Sequence, residues 1–166
     1  KSNSFFNRFS LKPNAIEAGT VSCTGNRYCS FALTNTKDEA LKISKELSHE
    51  LNLTEEIKIH WTGCPNSCGQ AYMGAIGLTG KKAKNSKGKI DEAYDISIGG
   101  SQGEFQEIGQ LKHKSVPKDK LKIVLKDLLI KEFSAIPKNK IKKNRFKQFS
   151  RSINWFGKQN ESSNSS

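Results

Sequence analysis

The chain carries its four cysteines in two short stretches, C-T-G-N-R-Y-C at residues 23–29 and C-P-N-S-C at residues 64–68. Glycines and small polar residues surround both stretches, whereas cysteines that serve as packing residues lie among apolar neighbours. Thiolates that converge from two turns are typical of a metal centre. The sequence therefore predicts one site built from both stretches, with the ligands Cys23, Cys29, Cys64 and Cys68.

Three kinds of site agree with four cysteines. Two disulfides are typical of small secreted proteins with a high cysteine content, which this chain lacks. We also expect no signal peptide. A structural zinc site favours C-x2-C pairs rather than gaps of five and three residues. An iron–sulfur cluster fits the count and the irregular spacing best, with zinc and disulfides as alternatives.

Length and composition limit the class of protein. A chain of 166 residues holds one domain with a hydrophobic core, and we expect Lys1 to be an internal position of a longer protein. No apolar run is long enough to span a membrane, and reduced thiols are typical of the cytoplasm or another reducing compartment. We therefore expect a soluble protein in such a compartment.

The net charge of +12 is unevenly distributed. Lysine and arginine are concentrated in residues 136–166, where Glu161 is the only acidic residue. The remaining body is modestly basic, which suits an acidic partner or an anionic ligand. Apolar residues recur at helical spacing in the tail and predict a basic amphipathic helix: Phe146, Phe149, Ile153 and Phe156. We expect this helix to dock on the parent protein, with a membrane-surface or nucleic-acid contact as the alternative, and residues 157–166 to be disordered.

Alternation and helical periodicity predict an α+β fold, a sandwich in which a mixed sheet has flanking helices and the cysteines lie at strand ends. The predicted helices are residues 37–51, with a Thr36–Glu39 capping box, and 117–133. The predicted strands are 20–23, 56–61, 75–79 and 94–98, and residues 81–89 form a lysine-rich hairpin or loop. The predicted organisation is a connector (1–18), a domain (19–135) and a basic tail (136–166).

Several residues near the cysteines have predicted supporting roles. Pro65 and Asn66 favour a turn whose N–H groups point at sulfur, and Asn66 is a candidate neighbour of the cofactor as well as a turn former. The glycines beside the cysteines remove Cβ atoms where backbone meets cofactor; they are Gly25, Gly63 and Gly69. His60 alternates with apolar strand residues, so we expect a partly exposed side chain rather than a ligand.

Residues 23–37 and 60–70 resemble the siroheme and 4Fe–4S motifs of nitrite and sulfite reductases. The resemblance continues through residues 75–80, the strand that ends at Gly99-Gly100 and the helix after Pro117, and covers about residues 5–135. The Thr-Gly-Asn after Cys23 and the Ser-Cys-Gly-Gln at residues 67–70 resemble the ferredoxin-dependent nitrite reductases within the family.

The resemblance implies that the four cysteines bind a 4Fe–4S cluster and that Cys68 is also the axial thiolate of siroheme. It implies six-electron reduction of nitrite to ammonium with ferredoxin as donor, in the cytoplasm or the plastid stroma. A ferredoxin-dependent sulfite reductase and an iron–sulfur electron-transfer module without haem are the alternatives. The substrate-binding Arg and Lys residues of the family lie upstream, so we expect no catalytic residue here and an inactive fragment.

The basic body predicts where an acidic ferredoxin would dock, and no nucleic acid is expected as a partner. Four lysines near the second cysteine stretch form the predicted patch: Lys81, Lys82, Lys84 and Lys87. The tail lysines from Lys138 to Lys147 are the competing patch.

Overall fold

Two parallel strand pairs and an antiparallel meander build the main sheet of the protein. A computed structural model describes residues 14–139. The helices are α1 (Ala15–Ala18), α2 (Thr36–Glu50) and α3 (Lys118–Glu132), with a short 3-10 helix at Ala71–Met73. The strands are β1 (Thr20–Ser22), β2 (Leu51–Asn52), β3 (Ile59–Thr62), β4 (Ile76–Lys84), β5 (Ile90–Ile98), β6 (Gln110–Pro117) and β7 (Ile136–Pro137).

The five-stranded sheet has the order β1-β3-β4-β5-β6. Strands β1, β3 and β4 are parallel, with Trp61 opposite Ser22 on one side and Leu78 on the other. Strands β4, β5 and β6 are antiparallel. The predicted mixed sheet with flanking helices is confirmed. Because β1 and β3 are parallel neighbours, their carboxyl ends meet at one edge of the sheet.

One apolar cluster joins the sheet to α2 and α3. Trp61 and Tyr94 lie at its centre, both almost fully buried, with ring centroids 5.4 Å apart in an edge-to-face arrangement. The predicted stripe of α3 faces this cluster, and Leu121, Leu125 and Leu129 are buried there. Burial of these side chains is the main stabilising contribution that the helices make.

Helix α2 begins one residue earlier than predicted, and its cap differs. The side chain of Asn35, not of Thr36, accepts a hydrogen bond from the N–H of Asp38. Thr36 instead donates from Oγ1 to the carbonyl oxygen of Cys23 at 2.8 Å, and Glu39 forms an ion pair with Lys118. The capping-box prediction was therefore wrong, because tertiary contacts compete for both side chains.

The strands differ from the predicted ones mainly in length. Strand β4 continues through the lysines to Lys84, and β5 begins at Ile90, so the predicted loop at 81–89 is reduced to a tight turn at Asn85–Lys89. Strand β3 is shorter than predicted. Strand β6 was missed because it lies at the sheet edge, where polar residues replace the apolar alternation of an inner strand.

The folded unit extends past both predicted domain boundaries. Ile16, in the predicted connector, is completely buried in the core, and Asn14 caps α1. Strand β7 pairs with β2, so Ile136 and Pro137 belong to the domain and not to the tail. The predicted amphipathic helix, the predicted disorder of residues 157–166 and the first part of the connector lie outside residues 14–139. Within that range no helix combines the length and apolar character of a membrane span.

Candidate metal centre

Both cysteine stretches begin at the same edge of the sheet. Cys23 directly follows β1, and Cys64 comes two residues after the end of β3. The N–H of Cys23 donates to the carbonyl oxygen of Trp61 at 3.0 Å, which continues the parallel pairing into the first stretch. The sheet register therefore brings together two segments that are distant in sequence.

The first cysteine loop, residues 23–36, is closed by its own backbone. The N–H of Asn26 donates to the carbonyl oxygen of Thr34 at 2.9 Å, and that of Cys29 to the carbonyl oxygen of Gly25 at 3.0 Å. Gly25 has φ +73°, and a Cβ there would lie 2.7 Å from the backbone nitrogen of Thr36. A residue with a side chain would therefore strain this loop.

The second cysteine loop, residues 63–70, turns at left-handed residues. Ser67 and Gln70 have φ 54° and 52°, and the N–H of Ser67 donates to the carbonyl oxygen of Cys64 at 3.2 Å. A Cβ at Gly69 would lie 2.0 Å from the carbonyl oxygen of Trp61. The predicted glycine role was thus incomplete, because these glycines allow close contact between protein segments.

Two hydrogen bonds join the loops to each other. The N–H of Leu33 donates to the carbonyl oxygen of Gly63 at 2.7 Å, and the N–H of Gly63 donates to Sγ of Cys23 at 3.1 Å. A Cβ at Gly63 would lie 2.8 Å from that of Ala32. Close packing at Gly63 thus directs a backbone donor at a cysteine sulfur, the kind of contact that tunes an iron–sulfur centre.

The surroundings of Cys23 favour its thiolate. Burial raises the pKa of the Cys23 thiol, but the polar contact with the Thr36 hydroxyl and the backbone hydrogen bonds from Gly25 and Gly63 outweigh it, and the pKa is lowered. Thr36 Oγ1 lies 3.4 Å from Cys23 Sγ. The thiolate is the form that binds a metal, so this side chain is prepared for ligation.

The four thiols differ in access to solvent. All four are free; Cys64 is buried, Cys23 and Cys29 are half-buried and Cys68 is exposed. In residues 14–139 no three His, Cys, Asp or Glu side chains lie close enough together for a single metal ion. All four cysteines, which lie within residues 14–139, are free thiols, so the disulfide alternative is not observed. Soft thiol donors at one edge, with an N–H directed at sulfur, fit an iron–sulfur cluster.

His60 supports the second cysteine loop. The side chain is 4% exposed, so the prediction of partial exposure was wrong. Its Nδ1 lies 3.1 Å from the carbonyl oxygen of Gln70, within hydrogen-bond distance. This contact ties β3 to the end of the loop, in a structural role.

Asn66 lies exposed at the tip of the second loop. It lines a cavity of about 470 Å³ whose other walls are mainly amide and hydroxyl side chains: Ser67, Gln70, Tyr72, Gln102 and Gln106. The left-handed turn residue is Ser67, so Asn66 is not needed for that conformation. A role of Asn66 toward a cofactor stays a prediction.

The predicted lysine patch is divided by the strand geometry. Lys81 lies on the opposite face of β4 from Lys82 and Lys84. Its Nζ is 2.6 Å from a carboxylate oxygen of Asp95. Lys82 lies opposite Glu92 in the register. Lys84 and Lys87 remain exposed near the hairpin tip. The four lysines therefore do not form one continuous patch.

Glu92 is a residue beside the site that the sequence pattern did not predict. Its carboxylate is buried behind the first cysteine loop and accepts hydrogen bonds from Asn26 and Asn35. The period-two alternation of β5 places Glu92 on the same face as Tyr94 and could have indicated a buried acid.

Comparison with known proteins agrees with this geometry. A sequence profile described as "Nitrite and sulphite reductase 4Fe-4S domain" matches residues 18–153, beyond the predicted end of the domain. The ferredoxin–nitrite reductase of Leptolyngbya laminosa is 45% identical over 131 residues, which is 79% of this chain and 26% of the relative. The chloroplastic ferredoxin–nitrite reductase of Zea mays is 40% identical over 133 residues, covering 80% of this chain and 23% of the relative.

A solved structure shares the fold. The NirA protein of Mycobacterium tuberculosis superposes with a TM-score of 0.69 at 22% identity, covering 76% of this chain and 24% of NirA. The chain spans about a quarter of the length of the curated relatives described above. The relatives named as reductases are oxidoreductases. The chain belongs to the nitrite and sulphite reductase 4Fe-4S domain family.

Proposed function

We propose that this chain is the C-terminal part of an assimilatory ferredoxin–nitrite reductase, which reduces nitrite to ammonium with six electrons. The observation that carries the proposal is the meeting of two cysteine loops at the carboxyl ends of β1 and β3, with the Gly63 N–H directed at Cys23 Sγ. The identity to named ferredoxin–nitrite reductases supports nitrite as substrate.

In this proposal Cys23, Cys29, Cys64 and Cys68 hold a 4Fe–4S cluster. Four thiolates give the site a negative charge, and hydrogen bonds to sulfur offset part of it. The N–H of Gly63 provides one such hydrogen bond to Cys23 Sγ, and the pKa of that thiol is lowered. The left-handed turn at Ser67 determines the path of the chain between the ligands Cys64 and Cys68.

Cys68 is the residue that would bind both the cluster and the iron of siroheme. It is the exposed thiol of the four, so its sulfur is accessible to a group lying outside this domain. When bound, siroheme would supply the iron on which nitrite is reduced. The residues of this chain position the shared thiolate and deliver electrons to it; side chains that bind nitrite are expected in the rest of the protein.

Ferredoxin is the proposed donor, as in the names of the relatives. The basic charge of the chain agrees with an acidic donor protein. Lys84 and Lys87 lie at the tip of the β4–β5 hairpin, which extends past the carboxyl end of β3 on the cysteine side of the sheet. The plastid stroma or a bacterial cytoplasm is the proposed compartment, since relatives include chloroplastic enzymes.

The test uses the intact protein that contains this chain. Iron and acid-labile sulfide analysis should give about four of each for the cluster, in addition to one siroheme iron. Reduced methyl viologen should then drive loss of nitrite much faster than loss of sulfite. Stoichiometric zinc without sulfide would contradict the cluster, and a clear preference for sulfite would identify a sulfite reductase, the other activity in the family description.

A further inference from the structure

Glu92 is a buried acid directly behind the first cysteine loop. It lies on β5, its residue exposure is 8%, and neither the sheet nor the core requires a charge there. An ionised carboxylate in such a place is costly unless every oxygen finds a donor. The partners of Glu92 therefore indicate its purpose.

The carboxylate joins the two ends of the loop. Its Oε1 accepts from Nδ2 of Asn26 at 2.9 Å and from the backbone N–H of Asn35 at 3.1 Å. Asn26 lies three residues after Cys23, and Asn35 is the N-cap of α2, where the loop ends. One oxygen atom thus bridges Asn26 and Asn35, which lie on either side of Cys29 in the first cysteine loop.

The second oxygen attaches this bridge to the helices. Oε2 of Glu92 accepts from Nζ of Lys118 at 3.1 Å, and the same Nζ lies 2.9 Å from Oε1 of Glu39. Lys118 begins α3 and Glu39 lies in the first turn of α2. The triad of two carboxylates and one ammonium carries a net charge of −1 when all three are ionised.

We propose that Glu92 is a positioning residue for the iron–sulfur centre: it fixes the loop that follows Cys23 and carries Cys29 against strand β5 and the first turns of α2 and α3. This inference rests on the proposed function, in which these cysteines are the ligands. Replacement of Glu92 should loosen residues 26–35 while leaving the second loop in place. The negative triad should also lower the reduction potential of the cluster, because reduction adds a further negative charge.

The test compares Glu92→Gln and Glu92→Ala in the intact protein with the control Asp91→Asn. Asp91 is the preceding residue of β5 and is exposed on the other face; its Oδ1 accepts from the backbone N–H of Glu92, an acceptor that asparagine keeps, so the control removes a charge without touching the first cysteine loop. Hydrogen exchange of the amides in residues 26–35 should become about tenfold faster in Glu92→Ala, since hydrogen bonds to charged groups are stronger than average. Glu92→Gln keeps the shape and one acceptor, and should show a severalfold increase.

The reduction potential of the cluster is a second readout. Loss of a negative charge predicts the direction of its shift, whereas loosening of the core alone does not. The potential should become more positive in Glu92→Gln and stay within error in Asp91→Asn. Unchanged exchange in residues 26–35 of both Glu92 variants, or equal acceleration throughout the domain, would overturn the proposal. If Glu92→Ala does not accumulate as folded protein, Glu92→Gln decides. Exchange is also measured in cluster-free protein, so a failure of the cluster assignment is distinguishable from a failure of the Glu92 proposal.

Discussion

The backbone N–H of Gly63 donates to Sγ of Cys23 across 3.1 Å, between two residues separated by forty positions in the chain. This bond depends on close packing, because a Cβ at Gly63 would lie 2.8 Å from that of Ala32. The backbone of one cysteine loop therefore contributes to the electrostatics of a cysteine in the other. The same contact fixes how closely the two loops approach.

Gly63→Ala should separate the loops and weaken the hydrogen bond to Cys23. We expect the cluster potential to become more negative and the cluster to be lost faster under a chelator, because N–H donors stabilise the more negative reduced state. Redox titration with optical or EPR detection measures the shift. Ala32→Gly in the same protein removes the clashing methyl group and should restore much of the wild-type potential; no recovery in the double variant would contradict the packing argument.

Cys68→Ser should abolish the coupling between cluster and siroheme. A hard alkoxide or hydroxyl oxygen does not replace a soft bridging thiolate, so activity with nitrite should fall to background. The optical and EPR spectra of the intact protein, with its iron and sulfide content, measure the effect. Retention of a coupled spectrum in Cys68→Ser would show that another residue is the shared ligand.

Charge reversal at the hairpin tip should weaken ferredoxin binding. We expect Lys84→Glu with Lys87→Glu to lower the ferredoxin-dependent rate mainly through association, with a steep salt dependence in the wild type. Lys82 is left intact because it faces Glu92 across the strands, where a second acid would destabilise the sheet. The control is Lys45→Glu, an exposed position of α2 with no carboxylate three or four residues away on the helix. Equal losses with ferredoxin and with a small dye donor would contradict docking at this site.

Glu50 should give the protein a small pH-dependent stability. Hydrogen bonds from Lys122 and then Lys126 lower the pKa of its carboxyl, whose usual value is 4.5. Because the folded-state pKa is the lower one, the stabilisation is complete above the unfolded-state pKa and is lost as pH falls through the folded-state pKa. The side chain is 34% exposed, so Glu50→Gln should cost no more than about 1 kcal/mol at pH 7.

Thermal unfolding across pH checks this prediction. The difference between wild type and Glu50→Gln should shrink toward pH 3, whereas Glu104→Gln, an exposed acid in the loop after β5, should show little effect at any pH. A difference that persists unchanged in acid would mean that packing, and not charge, is lost.

The sequence predicted the parts of the site that local pattern determines. Alternation around Trp61 indicated β3, and the position of Cys64 just after it followed from that strand. Helical spacing from Leu121 to Leu129 correctly predicted α3 and its buried face. These elements depend on the burial of apolar residues, which is visible in the sequence.

The remainder depends on partners that are distant in the chain. Thr36 and Glu39 do not form the predicted capping box. Thr36 donates to the carbonyl oxygen of Cys23 and Glu39 pairs with Lys118, and both contacts form only when α2 lies against the sheet. The buried carboxylate of Glu92 finds its partners 57 and 66 positions away. Edge strand β6 was not predicted because most of its side chains are exposed to solvent and show no apolar alternation.

The pairing of β2 with β7 determines where the basic tail starts. Helix α2 begins beside Cys23 and ends at Glu50, directly before Leu51, whose partner in the small sheet is Pro137. Its 15 residues span roughly 22 Å at the usual rise of a helix. A donor protein at the root of the tail would therefore stand about a helix length from Cys23, whereas the hairpin extends from the same edge of the sheet at which the cysteine loops begin.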